Sequence, residues 1–146
     1  MNRSWCLSVI LFALLASLSS GLYAQEQGTV TTLEFDGKMA VFSVEASAFK
    51  VGDVTSTALE TLFLTLLDQG VAGVNNGQRF MEIENVKWKE NFFKSKNPPY
   101  MSYVKGVQTE GNPLKSEVGD FRATVLVRVN IEFFIRQLKA YGIMRK

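Results

Sequence analysis

The 146-residue sequence predicts an α+β domain, a mostly antiparallel sheet with two main helices packed on one face. Three observations predict it. Leu59, Leu62, Phe63, Leu66 and Leu67 recur at the i, i+3, i+4, i+7, i+8 spacing of one helical face, with Ala58 beside them. Lys38–Phe49 and Phe121–Val129 alternate apolar and polar residues, the period of a strand with one covered face. Ile131, Phe134, Ile135 and Leu138 return to helical spacing directly after the second of these strands.

The chain opens with a segment that does not belong to that domain. Arg3 and the amino terminus precede an apolar run from Trp5 to Leu18, and residues 17–24 are small and polar. This is the layout of a cleaved secretory signal peptide, residues 1–24. The cut is expected after Ala24, with Gly21 as the alternative because Leu22 would stand at the −3 position. An apolar run of about 14 residues is short for a membrane span, which takes ~20. Nothing downstream is apolar for long enough to cross a bilayer as a helix, so no transmembrane segment is expected in the processed chain.

Residues 25–28 read as a polar tail before a single domain over 29–146. Thr29–Phe35 is rich in Thr, Val and Phe and reads as a strand. Asp36-Gly37 predicts a type I′ hairpin turn, with positive φ at both residues. In the return strand, Ala40, Phe42, Val44, Ala46 and Ala48 share one side, and the small Ala46 and Ala48 admit a helix closely. That helix begins near Asp53; Asp53, Ser56 or a Thr57–Glu60 capping box could start it. Gly70 supplies the left-handed residue that ends it.

Gln78–Ile83 reads as a strand or an extended lead-in. Glu84–Lys94 has a mixed period and reads as a short helix with Val86, Glu90 and Phe93 on one face. Asn97-Pro98-Pro99 breaks the chain. Tyr100–Val107 reads as a strand, Gln108–Gly119 as a turn-rich connection and Phe121–Val129 as a strand. Asn130 caps the last helix and Gly142 ends it.

Composition excludes several chemistries. The one cysteine, Cys6, lies in the leader, ahead of where a lipid-attachment cysteine would stand, and the sequence has no histidine. About 122 residues without a disulfide must be held by their core. Ser-His-Asp and Cys-His nucleophile systems are absent, and so are the usual zinc sites. No run of alternate carboxylates suggests a calcium loop, and Glu82 and Glu84 read as one solvated face. No cofactor, metal or catalytic residue is assigned, although two carboxylates brought together by folding would escape sequence reading.

The run Gly70-Val71-Ala72-Gly73-Val74-Asn75-Asn76-Gly77 has the look of a phosphate loop. It leaves a helix C-terminus, however, whereas phosphate is held at the N-terminus, and it has no Lys-Ser/Thr pair. A helix stop followed by an Asn76-Gly77 turn accounts for it.

Charge is uneven. Residues 25–84 carry three basic and nine acidic side chains, and residues 85–146 carry twelve and five. This could steer an anionic partner, and the plainer reading is that the two halves offset each other in one fold. Aromatics and lysines interleave in Trp88, Phe92, Phe93, Tyr100 and Tyr103 with Lys87, Lys89, Lys94 and Lys96. Core packing is the plain reading of Phe92, Phe93 and Tyr100. The sharper one is a ligand or partner surface of Trp88, Phe92, Tyr100, Tyr103, Lys87 and Lys89, seating a protein or, as the alternative, a glycan or other small ligand. Export takes the chain away from nucleic acid, so none is expected as a partner.

A strand ending in Val44-Glu45-Ala46-Ser47-Ala48, a helix with Ala58-Leu59, and Gly70-Val71-Ala72-Gly73-Val74-Asn75 follow in order. Phe92-Phe93 and Tyr100 precede the alternating strand, the Leu-containing helix and Gly142-Ile143. Over Val41–Lys146 the order resembles a secreted α+β module of Gram-negative envelope proteins. That group includes the N-terminal module of flagellar assembly protein T and related small outer-membrane lipoproteins; exported Bacteroidetes proteins look similar. This chain departs from them in having no lipid-attachment cysteine and no second domain, so their outer-membrane anchor is not carried across. The resemblance implies a non-enzymatic accessory or assembly role in the periplasm or at the outer membrane of a Gram-negative bacterium. The expected partner is an envelope protein or a second copy of the chain.

Overall fold

The computed structural model describes residues 28–145. The expected leader, Cys6 and residues 25–27 of the expected tail lie outside the described residues. The domain is α+β, as the patterning predicts. A four-stranded antiparallel sheet in the order β1-β2-β4-β3 is formed by β1 (Val30–Phe35), β2 (Met39–Ala48), β3 (Val104–Lys115) and β4 (Phe121–Asn130). Three α-helices accompany it: α1 (Val54–Asp68), α2 (Val86–Lys94) and α3 (Ile131–Ala140).

Ala40, Phe42, Val44 and Ala46 of β2 and Val125, Val127 and Val129 of β4 form the covered face of the two central strands. Val54, Ala58, Leu59, Leu62, Phe63, Leu66 and Leu67 line the buried stripe of α1, and Ile131, Phe134 and Leu138 that of α3. These stripes join the covered sheet face in one hydrophobic core. The other sheet face carries Ser43, Glu45, Ser47, Arg122, Thr124 and Arg128 and is left open, which is why β2 and β4 alternate.

Several junctions differ from the sequence reading. Gly28 is not free tail: a Cβ there would lie 1.7 Å from the Glu45 carbonyl oxygen, and Thr29 accepts a bond from the Glu45 amide at 3.0 Å. In the β1–β2 turn only Gly37 has positive φ (92°), so Asp36 is not in the left-handed state of a type I′ turn. Instead the Asp36 carboxylate accepts from the Lys38 and Met39 amides at 2.8 and 2.7 Å, closing the turn with a side chain. Those bonds hold the carboxyl below its ordinary pKa.

No side chain caps α1. A 3-10 turn, Val51–Asp53, feeds directly into it, and the Ser56 hydroxyl donates to the Asp53 carbonyl at 2.9 Å. The helix stops at Gly70, φ +83°, as its sequence predicts. A Cβ on Gly70 would stand 2.3 Å from the Gly77 carbonyl oxygen, so glycine is required twice over. Asn75, Asn76 and Gly77 are all left-handed, three residues in a row of types that tolerate it. This reversal brings Phe80 and Met81 back to donate their amides to Leu66 and Leu67, at 2.9 and 3.0 Å. Of the two readings of Gln78–Ile83, the strand is therefore not formed: Phe80 and Met81 cap the end of α1, and Glu82 and Ile83 donate to the Ile143 carbonyl.

Further along, Pro99–Tyr103 forms a 3-10 turn, not the start of a strand. The strand begins at Val104 and continues to Lys115, through the stretch expected to be a connection. β3 can do this because it is an edge: its register slips between Glu110 and Leu114, absorbing Gly111-Asn112-Pro113 as an irregularity.

Candidate functional site

The six residues singled out from the sequence come from two elements. Asn85 caps α2 by accepting from the Trp88 amide at 3.0 Å, and this cap sets which way the helix faces. Phe92 becomes its buried residue, with Trp88 and Phe93 half-buried beside it. The expected Val86–Glu90–Phe93 face is not the inner one: Val86 and Glu90 are exposed. Trp88 and Phe92, one turn apart, point inward instead. Pro98 and Pro99 then fold the chain into the 3-10 turn that turns Tyr100 and Tyr103 into the core.

Three of the six residues are therefore core. Phe92, Tyr100 and Tyr103 retain 2, 3 and 5% of their surface. They surround Phe63 of α1: Tyr100 stacks on it at 5.3 Å between centroids, and Phe92 and Phe134 meet it edge-on at 5.8 and 5.4 Å. Burial raises the phenol pKa of Tyr100, with Glu60 adding to it. Burial also raises Tyr103, with Tyr141 adding and a Ser102 hydrogen bond opposing. As a consequence both hydroxyls stay protonated well into the alkaline range. These three rings cannot offer a surface to a ligand.

The remaining three residues reach the surface differently. Trp88 is half-buried and stacks on Phe92 at 4.8 Å and 21°. Lys89 pairs with Asp68 at 2.6 Å, fastening α2 to the last turn of α1, where a cation also suits the helix dipole. Lys87 is exposed. Sequence reasoning did not find the neighbours that complete this surface. Tyr141, 58% exposed, lies 6.3 Å from Trp88 at the end of α3. Ile83 donates its amide to Ile143, two residues beyond Tyr141, and is exposed, as is Val86. Only the tertiary return of the C-terminus past residues 82–83 brings Tyr141 to Trp88.

A groove of about 590 Å³ lies elsewhere, on the open sheet face, lined by residues that include Glu45, Glu110, Thr124, Lys115 and Arg122. Glu45 and Glu110 each pair with Thr124, from opposite sides. Their backbones are thus two strand spacings apart, roughly 10 Å. Both side chains are exposed, and Ala46, Leu114 and Ala123 line the groove beside them. Among the described residues there is no group of three His, Cys, Asp or Glu side chains placed to hold a metal ion. No described helix is long and apolar enough to cross a membrane.

No family model matches the chain, no curated protein matches it, and no solved structure matches its fold.

Proposed function

We propose that this chain is an exported, non-enzymatic protein of the Gram-negative envelope, an accessory or assembly module that binds an envelope protein or a second copy of itself. The observation that carries this reading is the exposed Tyr141 ring beside the half-buried Trp88, where the C-terminal end of the last helix meets α2. Interfaces concentrate their energy in aromatic residues of this kind, ringed by contacts that exclude water.

Two measurements test the reading. Mass spectrometry of the protein from an envelope fraction should show residues 1–24 removed; an intact leader on cytoplasmic protein would end the export claim. Light scattering of the processed protein, alone and with its retained partner, should show an assembly that Trp88→Ala with Tyr141→Ser dissolves while the melting transition stays cooperative. A strict monomer that retains no partner would overturn the binding claim.

A further inference from the structure

The two edges of the sheet, β1 and β3, are built differently. β1 has six residues, a bulge between Thr32 and Glu34, and the acids Glu34 and Asp36 at its end. The segment after α1 also packs against it, so that a Cβ on Gly73 would lie 3.2 Å from the Thr32 Cβ. A short, bulged and charged edge resists the addition of another strand. β3 does the opposite from Gly106 to Glu110. These residues pair with Arg128 to Thr124 of β4 in unbroken register, contain no proline, and are exposed apart from the half-buried Thr109. A register shift at Lys105 and the left-handed Gly111, φ +70°, bound the run. Among the described residues, nothing pairs with its outer side. Every second residue of such an edge turns both its N–H and its C=O outward, a row of groups that an extended chain satisfies together.

Gly106 is the residue of this run that its own fold does not explain. It is not in the left-handed region, and a Cβ there would make only an ordinary contact, 3.7 Å from the Arg128 Cβ. Glycine inside a strand weakens it and marks a place where another backbone comes close.

A second copy of β3, antiparallel and related by a two-fold axis through Gln108, meets these features one by one. Val107 falls opposite Thr109 of the second copy, and Thr109 opposite its Val107. Both residues lie on the covered side of the sheet, because they pair with the buried Val127 and the buried Val125. β-branched residues so placed support each other across strands. Glu110 falls opposite Gly106 of the second copy, where no side chain intervenes, and next to its Lys105. Between 105 and 110 the strand carries one base and one acid, at opposite ends. An antiparallel copy therefore joins opposite charges twice, whereas a parallel one would set like charges together. About four to six main-chain hydrogen bonds form across such a seam. That places it among small, transient interfaces. Because the β1 edge is defended, the contact closes at two chains and does not grow into a fibre.

We infer that β3 is a self-pairing edge, through which two copies of the chain join their four-stranded sheets into one continuous antiparallel sheet. The inference does not rest on the reading at Trp88, which lies on α2. Sedimentation of the processed protein, its amino terminus verified by mass, from micromolar to millimolar concentration tests it. The mass should rise toward that of two chains, and alternate amides in 106–110 should gain protection from hydrogen exchange along with it. Lys105→Glu and Glu110→Lys should each weaken association about tenfold, since each sets like charges together at two places. The double exchange, Lys105→Glu with Glu110→Lys, should restore it. Both side chains are exposed, so the melting temperature should stay put throughout. Trp88→Ala with Tyr141→Ser should leave this pairing intact even where it dissolves a larger assembly, so the two readings fail separately. A chain that stays monomeric over the whole range, a dimer indifferent to the single exchanges, or a double exchange that restores nothing would overturn the inference. So would a dimer that the Trp88 and Tyr141 substitutions dissolve.

Discussion

Two groups of apolar side chains in this molecule end in opposite environments. The aromatic group of Phe63, Phe92, Tyr100, Tyr103 and Phe134 is buried between helices and sheet. The second group, Phe49, Val51, Leu114 and Val118, stands in solvent. The first sits on elements whose other faces are polar, so one docking event removes all five rings from water at once. Phe49, Val51 and Val118 of the second sit on connections beside the last pairs of β2, β3 and β4, and Leu114 pairs with Arg122 near the end of the edge strand β3. Apolar character alone therefore carries no address; what counts is whether another part of the chain packs over the residue.

The largest effects should come from breaking the buried cluster. A charge at Leu62, as in Leu62→Lys, lies unpaired in the core and should abolish cooperative unfolding, at a cost of several kcal/mol. Phe63→Ala removes the ring that the other aromatics share and should cost about 3–5 kcal/mol in chemical denaturation. If either variant melts like the parent, the core is not built around α1.

Next come the backbone devices that deliver the aromatic cluster. Gly70→Ala forces a Cβ at left-handed φ against the Gly77 carbonyl and should cost at least ~1–2 kcal/mol. Asn85→Ala or Asn130→Ala should each cost about 1 kcal/mol, because each removes an acceptor for an amide in a first helical turn. Equal stability of these variants would mean that tertiary packing, rather than the caps, fixes α2 and α3.

The smallest effect on stability should be at Phe49, 85% exposed: Phe49→Ser should stay within about 0.5 kcal/mol of the parent in chemical denaturation.

Acid and alkali separate the two regions as well. Asp120, just before β4, has its carboxyl pKa lowered first by Ser116 and then by Arg122, against an opposing effect of burial. A group lowered in the folded state contributes stability above its unfolded pKa and loses it as the pH falls through the folded one. Ser116→Ala should therefore flatten the acid side of the stability profile, in melting curves taken below the ordinary carboxylate value of 3.8. Tyr100 and Tyr103, in the buried cluster, are raised above the ordinary 10.0. Their contribution is complete below that value and is lost as pH rises through the folded one. Phenolate absorbance should accordingly climb together with alkaline unfolding, and Tyr103→Phe should reduce the part that does.

Parts of both fold and site were legible in the residues. The stripe of α1, the alternation of β2 and β4, the Gly70 stop and the Asn130 cap follow from local periods and local hydrogen bonding. The Asp36-Gly37 turn was placed correctly but given the wrong geometry, because the Asp36 side chain substitutes for the backbone conformation expected of it. The extent of β3 was hidden, since Gly111-Asn112-Pro113 carries every local mark of a loop and is tolerated only where an edge strand need not pair on both sides. Phe49 left a signal: in the β2 alternation it falls on the side of Glu45 and Ser47, not that of Ala46 and Ala48. Trp88 and Phe92 were visible as an aromatic group, but which of them faced inward depended on the Asn85 cap and on Pro98-Pro99.

By itself the sequence determined the covered faces, because a period of 3.6 or 2 decides which side of a single element can lose water. Only the tertiary structure decided which side chains beyond those faces stay wet. That depends on which elements are adjacent and where their pairing stops. Two side chains 53 residues apart, Trp88 and Tyr141, become neighbours for reasons that no local window contains.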